Sequence, residues 1–122
     1  MSTKYTTNGV IFIHSVTPPL QKHVEWALTN VLGYEVHFDW TGQPAMAGMN
    51  RAEFSWTGDI GTGALLATSI RGWEHLRYEI TEDPTPVSEG GRWSATPALG
   101  IFYAQTDLAG NVVVPENRIR SA

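Results

Sequence analysis

The order in which the hydrophobic period changes along the chain constrains the fold more than any single motif. Val10-Ile11-Phe12-Ile13-His14 is β-branched and aromatic without alternation. It reads as a central strand with apolar residues on both faces. Thr17-Pro18-Pro19 is helix-entry punctuation, with Thr17 as N-cap and Pro18 as the first helical residue. Leu20, Val24, Leu28 and Val31 then recur at helical spacing, with Ala27 and Leu32 on the same side. Gly33 stands at the position that ends such a helix. Tyr34, Val36, Phe38 and Trp40 alternate with Glu35, His37 and Asp39, a strict period of two that predicts a strand. After a loop rich in Gly and Pro, Ala52, Phe54 and Trp56 alternate with polar residues and predict its antiparallel neighbour.

A second, shorter helix is predicted after Gly58, capped by Asp59 or Thr62, with Leu66, Ile70 and Trp73 as its buried stripe. Leu76, Tyr78 and Ile80 predict a fourth strand, which Asp83-Pro84-Thr85-Pro86 ends because proline supplies no ladder donor. Arg92 to Thr96 is a candidate short strand. Gly100 to Gln105 and Val112 to Val114 predict a C-terminal hairpin around the turn residues Asp107 to Asn111. The order βαββαβ predicts an α+β domain: a ferredoxin-like antiparallel sheet with two helices on one face, plus that hairpin. Residues 1–8 read as a flexible tail rich in Thr, and residues 9–122 as one domain, as expected for 122 residues. Pro115 to Arg120 reads as the first turn of a further helix, implying a truncated or processed C-terminus or a short frayed end.

Composition narrows the function classes. The chain has no cysteine, which excludes a disulfide scaffold, a thiolate zinc site, an iron–sulfur site and cysteine catalysis. A net charge of −4 without a basic stripe argues against duplex nucleic acid as a partner. No apolar run approaches the roughly 18 residues of a membrane span, and residues 1–8 lack a signal-peptide core. The expectation is a cytoplasmic protein with no membrane partner. Nothing in the residues calls for a cofactor or a metal.

His37 and Asp39 lie two apart on one predicted strand face, with Glu35 beside them. Such a pair supplies two metal ligands, or a general base and the acid that orients it. Further ligands, His14 or Glu53, would come only through an assumed sheet pairing, and a solvated polar face explains the same residues. His14 ends the first strand, where α/β enzymes carry catalytic groups. Ser15 beside it lacks the glycine-flanked elbow of a hydrolase nucleophile. The candidate ligand site is therefore His14, Glu35, His37 and Asp39. Gly58-Asp59-Ile60-Gly61-Thr62-Gly63 resembles a phosphate loop in opening a helix, but it lacks the Lys-Ser/Thr ending.

Only 16% of residues are charged, against about 25% in typical domains, while five are tryptophan. Trp40, Trp56 and Trp73 are in phase with core stripes. Trp26 sits about 60° or more off the first helix's stripe, near His23. Trp93 lies in a glycine-flanked segment without a core pattern. If both helices cover one sheet face, either Ile11/Ile13 or Val10/Phe12 must look the other way. The hairpin, a second copy or another protein must then cover that face. Trp26, His23, Trp93 and Phe102 are the candidate interface residues.

Gly9-Val10-Ile11-Phe12-Ile13-His14-Ser15, His23-Val24-Glu25-Trp26-Ala27-Leu28, Arg71-Gly72-Trp73, Leu99-Gly100-Ile101-Phe102 and Val114-Pro115-Glu116-Asn117-Arg118 form an ordered set. It resembles the actinobacterial domain of unknown function three-one-four-five, from Gly9 to Arg120. The resemblance brings no catalytic residue with it. Genes of that family lie beside those of type II fatty-acid synthesis in some genomes. The resemblance therefore implies a partner in fatty-acid metabolism, such as an acyl-CoA carboxylase or an acyl-carrier system. The leading expectation is a non-catalytic accessory or regulatory subunit that binds a larger enzyme complex of acyl-CoA carboxylation or fatty-acid synthesis. The alternatives are a small ligand- or metal-binding enzyme using the Glu35/His37/Asp39 face, and a homodimeric scaffold.

Overall fold

The computed structural model describes residues 5–106 and 112–113. Its strands are β1 (Thr6–Val16), β2 (Thr41–Gly42), β3 (Asn50–Asp59), β4 (Arg77–Glu82), β5 (Gly90–Thr96), β6 (Gly100–Thr106) and β7 (Val112–Val113). Its helices are α1 (Gln21–Leu32) and α2 (Thr62–Ser69). All seven strands form one sheet in the order β2-β3-β1-β4-β5-β6-β7, every neighbouring pair antiparallel. The chain is thus an α+β protein with two helices on an antiparallel sheet.

Burial alternates along β1, with Thr7, Gly9, Ile11 and Ile13 inside and Val10, Phe12 and His14 outside. Ile11 and Ile13 pack with Val24 and Leu28 of α1, Leu66 and Ala67 of α2, and Trp56, Tyr78 and Ile80 of the sheet. Both helices therefore cover the Ile11/Ile13 face, and Val10 and Phe12 look away. Each fully buried aliphatic here stabilises the fold by about 1.5–3 kcal/mol relative to exposure. Trp56 is 1% exposed, and its indole N–H donates to the Thr81 carbonyl at 3.1 Å. It fits because Gly9 faces it: a Cβ there would collide with the indole and with the Thr81 carbonyl.

The entry and exit of α1 follow the local sequence. Pro18–Leu20 forms a 3-10 turn closed by the Leu20 N–H on the Thr17 carbonyl at 3.0 Å. Gly33 ends the helix in the left-handed region at φ 80°, its N–H on the Thr29 carbonyl at 2.9 Å.

Three expectations are corrected. Residues 34–40 are not a strand; only Thr41–Gly42 joins the sheet. The alternation is real, since Val36 and Phe38 are buried, but they pack against α1. The Val36 N–H donates to Thr29 Oγ1 at 2.9 Å and the Phe38 N–H to Glu25 Oε2 at 3.0 Å. Helix side chains thus take the donors that a neighbouring strand would have used. The polar tail is shorter than the sequence implies. Thr6 to Asn8 belong to β1, and Thr7 is buried with its hydroxyl on the Asp83 carbonyl at 2.8 Å. Neither Asp59 nor Thr62 caps α2, whose N-cap is Gly61 in the left-handed region.

The turn residues Asp107 to Asn111 and the helix start Pro115 to Arg120 lie outside the described residues. Among the described residues, no helix is long and apolar enough to cross a membrane.

Candidate functional site

The four candidate interface residues separate into different environments. His23 and Trp26 stand together on the outer side of α1, their rings edge to face at 5.4 Å. Trp26 is 60% exposed. Trp93 is partly buried and packs against the core from β5, its ring over Gly63 of α2 and 5.1 Å from the Tyr103 ring. Phe102 alternates with Tyr103 along β6 and so points to the face away from the helices, where it is exposed. These residues do not compose one patch.

The outer sheet face carries the charged chemistry. Glu79 of β4 lies in register with Phe12 and bridges two neighbours. Its Oε2 is 3.0 Å from Arg92 Nε, and its Oε1 is 3.6 Å from His14 Nε2. Contacts of this exposure contribute about 0–1 kcal/mol each, and the His14 contact counts as an ion pair only when the imidazole is protonated. Phe12 stacks on His14 with ring centroids 6.1 Å apart. The Gln43 amide donates to the His14 carbonyl at 2.6 Å, tying the loop before β3 to the end of β1.

Beside this cluster lies a depression of about 450 Å³ lined by Phe12, His14, Asp39, Arg51 and Glu53 among others. The fold therefore brings His14 and Asp39 of the candidate ligand set to one cavity. Glu35 and His37 are exposed on the segment leading to β2 and do not line it. Among the described residues, no group of three or more His, Cys, Asp or Glu is placed to hold a metal ion. Glu79, Arg51 and Arg92 were not singled out from sequence. Glu79 reaches His14, Arg92 reaches Glu79, and Arg51 shares the depression with His14 and Asp39, in each case only across strands, so no local spacing announces them.

The glycine-rich turn before α2 already holds an anion supplied by the chain. The buried Glu82 carboxylate accepts the Gly61 N–H at 3.0 Å and the Gly63 N–H at 2.8 Å. These are the donors a phosphate would need, so the turn is filled from within. On the outer edge of β3, the Tyr34 hydroxyl accepts the Thr57 N–H at 3.0 Å and donates to the Thr57 carbonyl at 3.2 Å.

The family model described as protein of unknown function (DUF3145) matches residues 10–122. The chain belongs to this family. No curated protein and no solved structure matches the chain. The DUF3145 match takes in both helices, the His23–Trp26 pair, the outer-face cluster and the Glu82 capping site.

Proposed function

We propose that this DUF3145 chain is a non-catalytic accessory or regulatory subunit that docks on a larger enzyme through the His23–Trp26 surface of α1. One observation carries the reading: Trp26 is 60% exposed on a helix whose Val24 and Leu28 are fully buried. A tryptophan held in water by an edge-to-face histidine is the kind of anchor that dominates interface energetics once buried. The partner class, an enzyme of acyl-CoA carboxylation or fatty-acid synthesis, comes from the family resemblance and belongs to the proposal. A cytoplasmic location and an actinobacterial source belong to it as well. The strand order β2-β3-β1-β4 supports a ferredoxin-like reading of the first six elements, with β6 and β7 as an added C-terminal hairpin.

Capture from native lysate with the tagged chain, run beside its Trp26→Ala variant, tests the reading. The native chain recovers an acyl-CoA carboxylase or a fatty-acid synthesis enzyme, and the variant recovers little. Recovery of the bait alone, at a depth that recovers known complexes, sinks it.

A second reading, a small-ligand protein, is favoured by the depression that His14 shares with Asp39. Under it, His14→Ala abolishes ligand binding and leaves capture of the partner intact. A third reading, a homodimer closed over the Val10/Phe12 face, predicts a stable dimer by sedimentation at micromolar concentration.

A further inference from the structure

A separate depression of about 430 Å³ lies where the end of β1, the loop before β3, the α2–β4 connection and the β5–β6 turn meet. Ser15 lines it. Ser15 is 2% exposed, and its Oγ has no hydrogen-bond partner. A buried hydroxyl left unpartnered is costly and uncommon in native proteins. The backbone goes out of its way to put it there. β1 slips register after Ile13 against both neighbours, between Ile13 and Val16 on β3 and between Ile13 and Ser15 on β4. Ser15 and Val16 are in consequence buried in succession, breaking the alternation of the strand. Bulges of this kind re-aim side chains beside functional sites.

His75, on the rim of the same depression, is at φ 61°, among the described residues the one non-glycine with positive φ. A side chain held in that region costs backbone energy, and such outliers cluster at ligand sites. Glu74 and Arg77 complete the polar lining, and among the described residues neither takes part in an ion pair. Met46, Met49 and Pro97 form the apolar wall, and unbranched thioethers adapt readily to a ligand's shape.

We propose that this depression binds a small monocarboxylate with a short apolar body. The carboxylate takes the Ser15 hydroxyl and the Arg77 guanidinium as donors, a geometry to which guanidinium is suited. The body lies against Met46, Met49 and Pro97. Arg77 supplies the one full positive charge of the lining, and the Glu74 carboxylate on the same lining repels a second negative charge, which favours a monoanion over a phosphate. The volume sits low in the roughly 300–1,000 Å³ range of ligand pockets, which sets the body as short. The site uses none of the residues of the docking reading and stands or falls separately from it.

Titration of the whole chain with hexanoate, followed by NMR of its amide signals, tests the assignment, with hexylamine and leucine as controls. Hexanoate gives saturable shifts at Ser15, Glu74, His75 and Ala98, and hexylamine gives none. Arg77→Ala weakens binding about tenfold, the loss of one charge-assisted contact. Ser15→Ala weakens it several-fold while its circular dichroism and thermal midpoint stay at or above those of the native chain. Glu74→Gln strengthens it. An absence of saturable shifts in the folded native chain overturns the proposal. So does hexanoate binding that is indifferent to both Ser15→Ala and Arg77→Ala. Preference for leucine, with binding weakened by Glu74→Gln, also overturns it, because the ligand would then be a zwitterion.

Discussion

Glu82 at the end of β4 and Gly63 in the first turn of α2 meet at 2.8 Å, the buried carboxylate accepting the glycine N–H. A second bond to the Gly61 N–H at 3.0 Å makes this side chain the N-terminal cap of α2, supplied from 19 and 21 residues away. Removing it leaves the buried Gly63 N–H unpaired and takes the partner from the more exposed Gly61 N–H. Glu82→Ala is expected to lower unfolding stability by about 2–4 kcal/mol, and Glu82→Gln by about half of that. Urea denaturation measures both. A loss under about 0.5 kcal/mol for Glu82→Ala, the size of an ordinary surface change, refutes the capping role.

Gly63 itself sets propensity against packing. Alanine favours a helix over glycine by about 1 kcal/mol. A Cβ here, however, would lie 2.6 Å from the Trp93 ring and 3.0 Å from Glu82 Oε1. Packing prevails, and Gly63→Ala is expected to destabilise by about 1–3 kcal/mol. A raised melting temperature would show that the Trp93 ring can move aside.

Burial pushes the Tyr78 hydroxyl up from 10.0 to about 12, partly offset by the Arg71 charge, and the hydroxyl donates to the Ala67 carbonyl at 2.6 Å. The unfolded chain loses this proton first as pH rises. Between pH 10 and 12 it therefore binds fewer protons than the folded chain, and stability falls with pH. The contribution is complete below pH 10 and is lost through the folded value. Tyr78→Phe is expected to cost about 1 kcal/mol at neutral pH and to flatten this alkaline slope. Thermal melts across that pH range give the comparison, and an equal slope in both proteins rejects it.

Tyr34 guards an open edge. Its hydroxyl takes both the N–H and the carbonyl of Thr57 on the outer side of β3, where β2 pairs only with Asn50 and Arg51. Exposed backbone groups on an edge strand template pairing with another chain. Tyr34→Phe is expected to change stability by no more than about 1 kcal/mol yet to increase self-association in sedimentation. A monomer–dimer balance equal to that of the native chain argues that the edge is protected otherwise.

Trp26→Ala is expected to alter stability by less than about 0.5 kcal/mol, because the ring is largely in water. A larger loss in urea denaturation would assign Trp26 to the core edge and remove the observation on which the docking reading rests.

Elements held by local forces were legible in the residues. The helical stripe Val24–Leu28, the terminating Gly33, and the alternating faces of β3 and β4 follow from rotation and rise per residue. These features need no distant partner. Residues 34–40 show where that reasoning stops. Period two says that alternate side chains are buried, but it does not say whether the backbone donors meet a strand or the side chains of Thr29 and Glu25. Trp93 had no core pattern because the surface it packs on, Gly63, comes from another element. Of the candidate site, His23 and Trp26 were within reach of helical geometry alone, being three residues apart. The pairing of His14 with Glu79, the meeting of His14 with Asp39, and the placing of Ser15 beside His75 were decided by strand order and by the bulge in β1. Sequence determines periodicity, which is a property of neighbours. Only the tertiary structure decides which side chains converge, because convergence joins residues separated by whole strands and helices.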